Sequence, residues 1–138
     1  MQIIRKSSAH WQGSGKEGQG TLTSQSGVLN NTQYSYNTRF ADGIGTNPEE
    51  LVAAAHAGCF SMKLAFVLQA AGITADDIRT EVAAILDNGV IGEIHLHTEV
   101  KAAGLTESDL ETYVIDAKEN CPISKSLTAT IVATFTLV

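Results

Sequence analysis

The chain contains two cysteines, Cys59 and Cys121, and their chemistry is the most specific that its side chains offer. They form no CxxC pair, and one chain cannot supply the four thiolates of an all-cysteine zinc site. A thiol can act as a nucleophile or as the redox partner of a second thiol, but it can also be a small, inert core side chain. Two inert buried thiols are therefore the alternative to a reactive pair.

The surroundings of Cys121 favour a reactive thiol. In the segment 119–125 (ENCPISK), Pro122 disfavours helical backbone at Cys121 and suits the first position of a new helical turn that Cys121 would cap. A thiol at a helix N-terminus lies near the positive end of the helix dipole, which favours the thiolate. Ser124 and Lys125 border this cysteine, and we expect them to contribute shape and electrostatics only.

A single long helix is predicted to carry Cys59, over residues 47–72. Asn47 is a suitable N-cap, Pro48 suits the first helical position, and Glu50 stands where the carboxylate of a capping box would. Gly72 offers a left-handed stop. The helix is predicted to be about 24 residues and roughly 36 Å long, enough to cross a domain of this size.

The composition of this helix predicts that it is buried. Between residues 51 and 71 the side chains are apolar or small all the way round, with Lys63 the only formal charge. Such a helix is either buried or membrane-spanning. Its polar side chains, with the proline and two glutamates at its start, weigh against a membrane span. Because one small chain can hardly cover it on every side, we interpret it as the buried axis of a dimer.

Three segments closely resemble the OsmC/Ohr family of peroxidases: residues 45–51 (GTNPEEL), 54–62 (AAHAGCFSM) and 121–124 (CPIS). The resemblance covers nearly the whole chain, from residues 9–11 (AHW) to the last strand. The two cysteine segments are specific together and weaker alone, and a histidine three residues before the first cysteine is typical of the OsmC branch. The resemblance implies a cysteine-based organic hydroperoxide reductase that works as an intertwined homodimer without a bound cofactor.

The resemblance also implies roles for the two thiols. The Cys59 thiolate would attack the distal oxygen of a hydroperoxide and become a sulfenic acid. Cys121 would condense with that sulfenic acid to a disulfide, provided that the two Cα atoms come within about 4.4–6.8 Å of each other. An external dithiol, which the resemblance suggests is lipoyl or similar, would then reduce the disulfide.

A positive partner is required for Cys59, because burial alone raises the pKa of a thiol. Arg39 matches the arginine that precedes the loop in this branch, and its planar fork could bind both the thiolate and the peroxide oxygen. Glu49 matches the acidic residue that holds this arginine, whereas Glu50 is expected to serve the helix N-terminus. The alternative for Arg39 is a surface arginine on a strand.

Helix geometry places Glu49 far from Cys59 of the same chain. Ten positions along one helix correspond to about 15 Å and a rotation of about 80°. A glutamate side chain cannot close that gap. We therefore predict that Glu49 and Arg39 complete the Cys59 site of the partner chain in an antiparallel pair of helices.

His56 precedes Cys59 by one helical turn and is a candidate for tuning its thiol. A packed or hydrogen-bonded interface histidine is the alternative. Apolar side chains near the first cysteine predict a preference for organic hydroperoxides over hydrogen peroxide. The predicted substrate-pocket residues are Phe40, Leu51, Val52, Phe60 and Met62.

Composition restricts the class of protein. With 138 residues the chain forms one domain, residues 1–138, large enough for a real core. Its net charge of −6 argues against nucleic acid and anionic membranes as partners. The N-terminal residues lack the apolar stretch of a signal peptide, and two cysteines in such a chain are more typical of redox chemistry than of a structural disulfide. We expect a cytoplasmic protein.

The remaining patterns predict an α+β fold of order βββαββαβ, in which antiparallel sheets wrap a long central helix. Strands are expected over 2–12, with Ile4, Ala9 and Trp11 inward, and then over 21–25, resuming at 28–29. Residues 33–40 (QYSYNTRF) alternate as a strand, with Tyr34, Tyr36 and Thr38 on one side and Arg39 opposite. Strands 78–86 and 90–102 flank a hairpin turn at 87–89 (DNG), a helix runs from 106 to about 120, and 127–138 is the last strand.

Two other motifs raise the question of a metal site and of a phosphate-binding loop. His95 and His97 share one face of a predicted strand and could hold a metal, but no third ligand is evident, and a solvated polar face explains them equally well. The glycine-rich residues 13–20 lack the GK[ST] of a phosphate loop.

Two other functional classes remain open at the level of sequence. One is a non-catalytic thiol switch or a small-ligand-binding protein, in which the cysteine pair only reports the redox state. The other is an acyl-transfer enzyme in which Cys59 and His56 form a Cys/His pair.

Overall fold

The structure is a computed structural model that describes all 138 residues. The chain divides into two compact units, Met1–Leu51 and Val52–Val138. The elements in chain order are β1 (Ser7–Gln12), β2 (Gln19–Ser24), β3 (Thr32–Tyr34), α1 (Tyr36–Phe40), α2 (Pro48–Ala70), β4 (Asp77–Asp87), β5 (Val90–Lys101), α3 (Glu107–Asn120), α4 (Pro122–Ser126) and β6 (Thr130–Leu137). The predicted α+β class is confirmed, and the predicted order βββαββαβ differs only by the two short helices α1 and α4.

The first unit contains an antiparallel meander in the order β1-β2-β3. The rings of Trp11 and Tyr34 lie across β2 with their centroids 5.4 Å apart. Gly20 lies between them, where an added Cβ would stand 2.5 Å from atoms of both rings. Only glycine permits this close approach, so the glycine positions the two aromatic side chains.

The strands of the first unit are shorter than predicted. β1 begins at Ser7 instead of residue 2, because its partner strand ends at Ser24 and the chain turns at Gly27, whose φ is +79°. Residues 2–6 therefore lack strand partners, and residues 28–29 lie in the turn. The predicted inward positions are also wrong for Ile4, which is 63% exposed, and for Ala9, which is exposed.

Residues 33–40 do not form one strand, contrary to the prediction. β3 ends at Tyr34, and Ser35 begins helix α1 as an N-cap. Thr38 N–H donates to Ser35 Oγ at 3.3 Å, and Ser35 N–H donates to Thr38 Oγ1 at 2.8 Å, which closes a reciprocal capping box. Arg39 therefore lies in the last turn of a short helix and not on the face of a strand.

Helix α2 begins and ends as predicted. The backbone N–H of Glu50 donates to Asn47 Oδ1 at 2.7 Å, so Asn47 caps the helix, and Gly72 follows its end with φ +79°. The Glu50 carboxylate does not complete a capping box with Asn47. It accepts a hydrogen bond of 2.7 Å from the hydroxyl of Thr46 and so ties the preceding loop to the helix.

One side of α2 is not covered within the single chain, so the burial of this helix as the axis of a dimer stays a prediction. His56, Phe60, Leu64 and Leu68 are buried, at helical spacing. The opposite side is exposed and apolar, and includes Ala54, Ala55, Gly58, Met62, Ala65 and Phe66. By length and composition alone α2 could also span a membrane, a criterion that the core helix of a soluble protein meets equally.

The second unit contains a three-stranded sheet in the order β4-β5-β6. The predicted hairpin joins β4 to β5 through Asn88 and Gly89, whose φ values of +51° and +79° match a type I′ turn. The prediction of antiparallel sheets is wrong for β5 and β6, which pair in parallel. The connection through α3 and α4 returns the chain to the same end of the sheet, and a parallel pair requires such a crossover.

The hydrophobic core of this unit combines side chains from α2, β5 and α3. Alternate residues of β5 are buried, as predicted. Thr106 caps α3, because its hydroxyl oxygen accepts a hydrogen bond of 3.2 Å from the backbone N–H of Asp109. A chain of hydroxyl hydrogen bonds of 2.7 and 3.1 Å connects α2 to the sheet through Ser61, Thr80 and Thr98. The core residues are Phe60, Leu64, Leu68, Ile94, Leu96, Val100, Leu105, Leu110, Val114, Ala117 and Cys121.

Candidate active site

The two thiols are brought together by separate elements of the second unit. Cys59 lies near the middle of α2, and Cys121 forms the junction between α3 and α4. Cys121 has the extended backbone expected for a residue before proline, with φ −61° and ψ 126°. The two sulfurs lie 2.9 Å apart, within hydrogen-bond distance, and both thiols are free.

The two thiols differ in accessibility. Cys59 is half-buried, whereas Cys121 is 0% exposed. Solvent therefore reaches part of the Cys59 residue and no part of Cys121. This asymmetry favours Cys59 as the first thiol to react.

Hydrogen bonds stabilise the thiolate of Cys121. Burial raises its pKa, but hydrogen bonds from the Cys59 thiol, from the backbone N–H groups of Ser124 and Ile123 and from the Ser124 hydroxyl outweigh burial and lower it. The predicted thiolate-favouring environment of Cys121 thus arises from specific donors. Helix α4 has only five residues, and these local N–H groups take the place of an extended helix dipole.

Within the second unit, Cys59 has no cation that stabilises its thiolate. Burial raises its pKa, and the contact with Cys121 raises it further, against a smaller lowering by the Ile123 N–H. No positively charged group of Val52–Val138 contributes to this shift. The requirement for a positive partner, which the sequence predicts, therefore still holds for this thiol.

His56 contacts Ser124 and not Cys59. Its Nε2 lies 2.7 Å from Ser124 Oγ, both side chains are buried, and burial lowers the pKa of the imidazole. His56 makes no contribution to the pKa of Cys59. The hydrogen-bonded alternative for His56 is the one observed, and this contact supports neither a tuning of Cys59 nor a Cys/His acyl-transfer pair.

Arg39 and Glu49 form an ion pair within the first unit. The Nε and one terminal nitrogen of Arg39 each lie 2.8 Å from the same oxygen of Glu49, while the other carboxylate oxygen is buried without a partner. The Arg39 side chain is 42% exposed, so its remaining N–H groups are available to a further ligand. The predicted pairing of these two residues is confirmed.

The predicted substrate-pocket residues occupy different environments. Phe40 is 54% exposed, and the guanidinium carbon of Arg39 lies 5.1 Å from its ring centroid. Both side chains line a cavity of about 200 Å³ in the first unit, together with Trp11 and Tyr34. Leu51 and Val52 are half-buried and Met62 is 65% exposed.

Phe60 differs from these residues, because it is fully buried in the core of the second unit. It offers no surface to a substrate, contrary to its predicted place in the pocket. Its ring stabilises the helix that carries Cys59.

The paired histidines of β5 bind neighbouring side chains. His95 Nε2 lies 2.8 Å from Glu93 Oε1, and His97 Nδ1 lies 2.7 Å from Thr134 Oγ1. No group of three His, Cys, Asp or Glu side chains is arranged to hold a metal ion.

Ser124 makes a specific hydrogen bond, whereas the sequence predicted only a contribution to shape and electrostatics. The structure places its hydroxyl 2.7 Å from Nε2 of His56, and both side chains are buried. The only sequence signal for Ser124 is its position three residues after Cys121.

Comparison with known proteins places this chain in a family. Residues 41–136 match the family model described as OsmC-like protein. The chain is 43% identical to peroxiredoxin OsmC of Escherichia coli over 99% of both chains. It matches the crystal structure of the organic hydroperoxide resistance protein OhrB of Bacillus subtilis with a TM-score of 0.67 and 29% identity, covering 99% of this chain and 98% of that one. An OsmC-like protein of Mycoplasma pneumoniae shares the fold, with a TM-score of 0.77 at 18% identity over 100% of this chain and 99% of that one. The chain therefore belongs to the OsmC-like family.

Proposed function

We propose that this protein is a thiol-dependent peroxidase that reduces organic hydroperoxides to alcohols. The observation that carries the proposal is the pair of free thiols whose sulfurs lie 2.9 Å apart, one accessible and one buried. Relatives named peroxiredoxin OsmC and organic hydroperoxide resistance protein support the substrate class.

In the first step the thiolate of Cys59 attacks the distal oxygen of the hydroperoxide. The O–O bond breaks, Cys59 becomes a sulfenic acid, and the alkoxide takes up a proton and leaves as the alcohol. Cys59 is assigned this role because this residue is partly exposed, whereas Cys121 is 0% exposed.

In the second step Cys121 resolves the sulfenic acid. Its thiolate attacks the sulfur of Cys59, a disulfide forms, and hydroxide leaves with a proton as water. The lowered pKa of Cys121, which persists despite burial because of the hydrogen bonds to its sulfur, suits this role. An external dithiol, such as a lipoyl group, then reduces the disulfide, and no bound cofactor is needed.

The cation that Cys59 requires is assigned to Arg39 of a second copy of the chain. Glu49, which holds Arg39, lies on the same helix as Cys59 but about 15 Å away along its axis. The apolar side of α2 left uncovered in one chain supports a homodimer in which two such helices pack together. In that arrangement the guanidinium would stabilise the thiolate and orient the peroxide.

We propose a cytoplasmic location, with neither nucleic acid nor membrane as a partner. A net charge of −6 disfavours anionic polymers and anionic lipid surfaces. Two thiols that cycle between reduced and oxidised states also suit a reducing compartment.

A turnover assay tests the proposal. Purified protein is supplied with dithiothreitol and with cumene hydroperoxide, tert-butyl hydroperoxide or hydrogen peroxide in parallel. We expect many turnovers per chain and a higher kcat/KM for the two organic hydroperoxides. Consumption that stops after one equivalent of peroxide would instead identify a non-catalytic thiol switch.

A further inference from the structure

Aromatic side chains are concentrated around one cavity of the first unit. The chain has one tryptophan, three tyrosines and four phenylalanines, and half of these rings line a single cavity of about 200 Å³. The four residues are Trp11, Tyr34, Tyr36 and Phe40, and Arg39 lines the same cavity. The proposed reaction uses Arg39 but gives no task to this cluster of rings, which we call the aromatic cavity.

The rings of the aromatic cavity support one another in two pairs. The ring centroids of Trp11 and Tyr34 lie 5.4 Å apart, and the indole N–H of Trp11 donates to the carbonyl oxygen of Gly13 at 3.2 Å. The centroids of Tyr36 and Phe40 lie 4.9 Å apart, with the ring planes inclined by 47°. Aromatic side chains stabilise each other at such distances. The cavity is therefore preformed, and a ligand loses little affinity to the ordering of side chains.

The charges around the rings restrict the class of ligand. A cluster of aromatic rings can bind a cation, but here two cations of the chain already contact the rings. The guanidinium carbon of Arg39 lies 5.1 Å from the ring centroid of Phe40, and Lys16 Nζ lies 5.9 Å from that of Tyr36. Both would repel a further cation. The cavity therefore suits an uncharged ring, which can stack on these side chains or meet their edges.

The size of the cavity suits a single ring. Pockets for drug-sized ligands measure about 300–1,000 Å³, whereas an apolar cavity of about 150 Å³ binds benzene. A volume of about 200 Å³ lies just above the second value. Tyr36 is 36% and Phe40 54% exposed, so both rings offer surface to a ligand.

Arg39 connects the aromatic cavity to the reaction. Its Nε and one terminal nitrogen contact Glu49 at 2.8 Å, and the side chain is 42% exposed, which leaves further N–H groups for a ligand. A peroxide group bound by those N–H groups would have its organic group beside the rings, because Arg39 and the rings line one cavity.

We infer that the aromatic cavity binds the organic group of the hydroperoxide and selects substrates in which that group carries an aromatic ring. Trp11 and Tyr36 are the specificity-determining residues. The inference rests on the proposed function, in which Arg39 orients the peroxide. The cavity changes none of the bonds in that reaction and acts only on which hydroperoxide is bound.

The first experiment measures binding without any reaction. Trp11 is the only tryptophan of the chain, so the fluorescence of tryptophan reports on this cavity alone. Reduced protein is titrated with 2-phenyl-2-propanol, the alcohol formed from cumene hydroperoxide, and in parallel with tert-butanol. We expect a saturable change with the aromatic alcohol and none with tert-butanol at the same concentrations. Tyr36→Leu should raise the Kd about threefold to tenfold, the loss typical of one aromatic pair, and Tyr36→Phe, which keeps the ring, should not.

The second experiment measures selectivity in turnover. The ratio of kcat/KM for cumene hydroperoxide to kcat/KM for tert-butyl hydroperoxide is determined with dithiothreitol as reductant. We expect this ratio to fall about threefold to tenfold in Trp11→Leu and in Tyr36→Leu and to stay near the wild-type value in Tyr36→Phe. Because both constants come from the same protein sample, a partial loss of folded protein does not change the ratio.

These outcomes separate the inference from the proposed function. A wild-type chain that turns over neither peroxide would refute the function itself. If both peroxides are turned over but the two alcohols change the fluorescence equally, or neither changes it, the inference is wrong. A wild-type ratio of kcat/KM in both Trp11→Leu and Tyr36→Leu would also overturn it.

Discussion

The sulfur of Cys121 lies 2.9 Å from the sulfur of Cys59, although one belongs to the junction of two helices and the other to the middle of a third. A disulfide bond is about 2.05 Å long, so the two sulfurs need to approach by less than about 1 Å to form one. The second step of the proposed reaction therefore joins two sulfurs that are already close together. The fold of the second unit holds the pair close together while both thiols are still reduced.

Replacing Arg39 tests the source of the positive charge. In Arg39→Ala we expect the pKa of Cys59 to rise and kcat/KM for cumene hydroperoxide to fall about tenfold to hundredfold, the loss of one hydrogen bond between charged groups. Arg79→Ala is a matched control, because Arg79 is an exposed arginine paired with Asp77 at 2.9 Å. A Cys59 pKa unchanged in Arg39→Ala would remove Arg39 from the site.

Mixed dimers test whether the site is shared between chains. A Cys59→Ser chain is combined with a Glu49→Ala chain, and differently tagged chains allow the heterodimer to be purified. If each site takes Cys59 from one chain and Glu49 from the other, the heterodimer has one site that lost both groups and one that kept both. We expect about half of the wild-type activity from one intact site of two. A heterodimer as inactive as both parents would show that each chain builds its own site.

Because the uncovered side of α2 is apolar, we expect a charged side chain placed there to weaken the dimer. Phe66 is 60% exposed in the single chain and lies on that side. In Phe66→Glu we expect light scattering to show a shift towards monomer, because a carboxylate would be desolvated in the helix interface. Val90→Glu, at a hairpin position that is 54% exposed, is the control and should leave the dimer intact. Dimers of equal strength in both variants would contradict the proposed interface.

Acidification should destabilise the fold through His56. Burial lowers the pKa of this histidine below its ordinary value of 6.5, so the folded state binds the proton more weakly than the unfolded state does. Its contribution to the free energy of unfolding is therefore present above pH 6.5 and is lost as the pH falls through the folded-state pKa. We expect Tm to decrease from about pH 7 to about pH 5 and the decrease to be smaller in His56→Gln. Replacement of the exposed His10 should leave the slope of the wild type, and the same slope in His56→Gln would contradict this account.

Much of the fold could be predicted from sequence, because it depends on local chemistry. Asn47 and Pro48 start α2 through an N-cap and a first-turn proline, which act within a few residues. The turn at Asn88 and Gly89 depends on two positive φ angles that these residues adopt readily.

Other features depend on contacts that a local pattern does not contain. The alternation of residues 33–40 resembles a strand, but the reciprocal capping of Ser35 and Thr38 makes α1 helical. The parallel pairing of β5 and β6 depends on where α3 returns the chain. The contact of His56 with Ser124 joins residues 68 positions apart, so only the tertiary structure could reveal it.

The different roles of the two cysteines are tested most directly by one equivalent of cumene hydroperoxide and mass analysis of three reduced proteins. We expect the wild type to yield one equivalent of alcohol and a disulfide between Cys59 and Cys121. Cys121→Ser should still yield the alcohol, with sulfenic acid or a higher oxide on Cys59, and Cys59→Ser should leave the peroxide intact. Rapid peroxide consumption by Cys59→Ser, together with none by Cys121→Ser, would contradict the account, because Cys121 would then be the nucleophile.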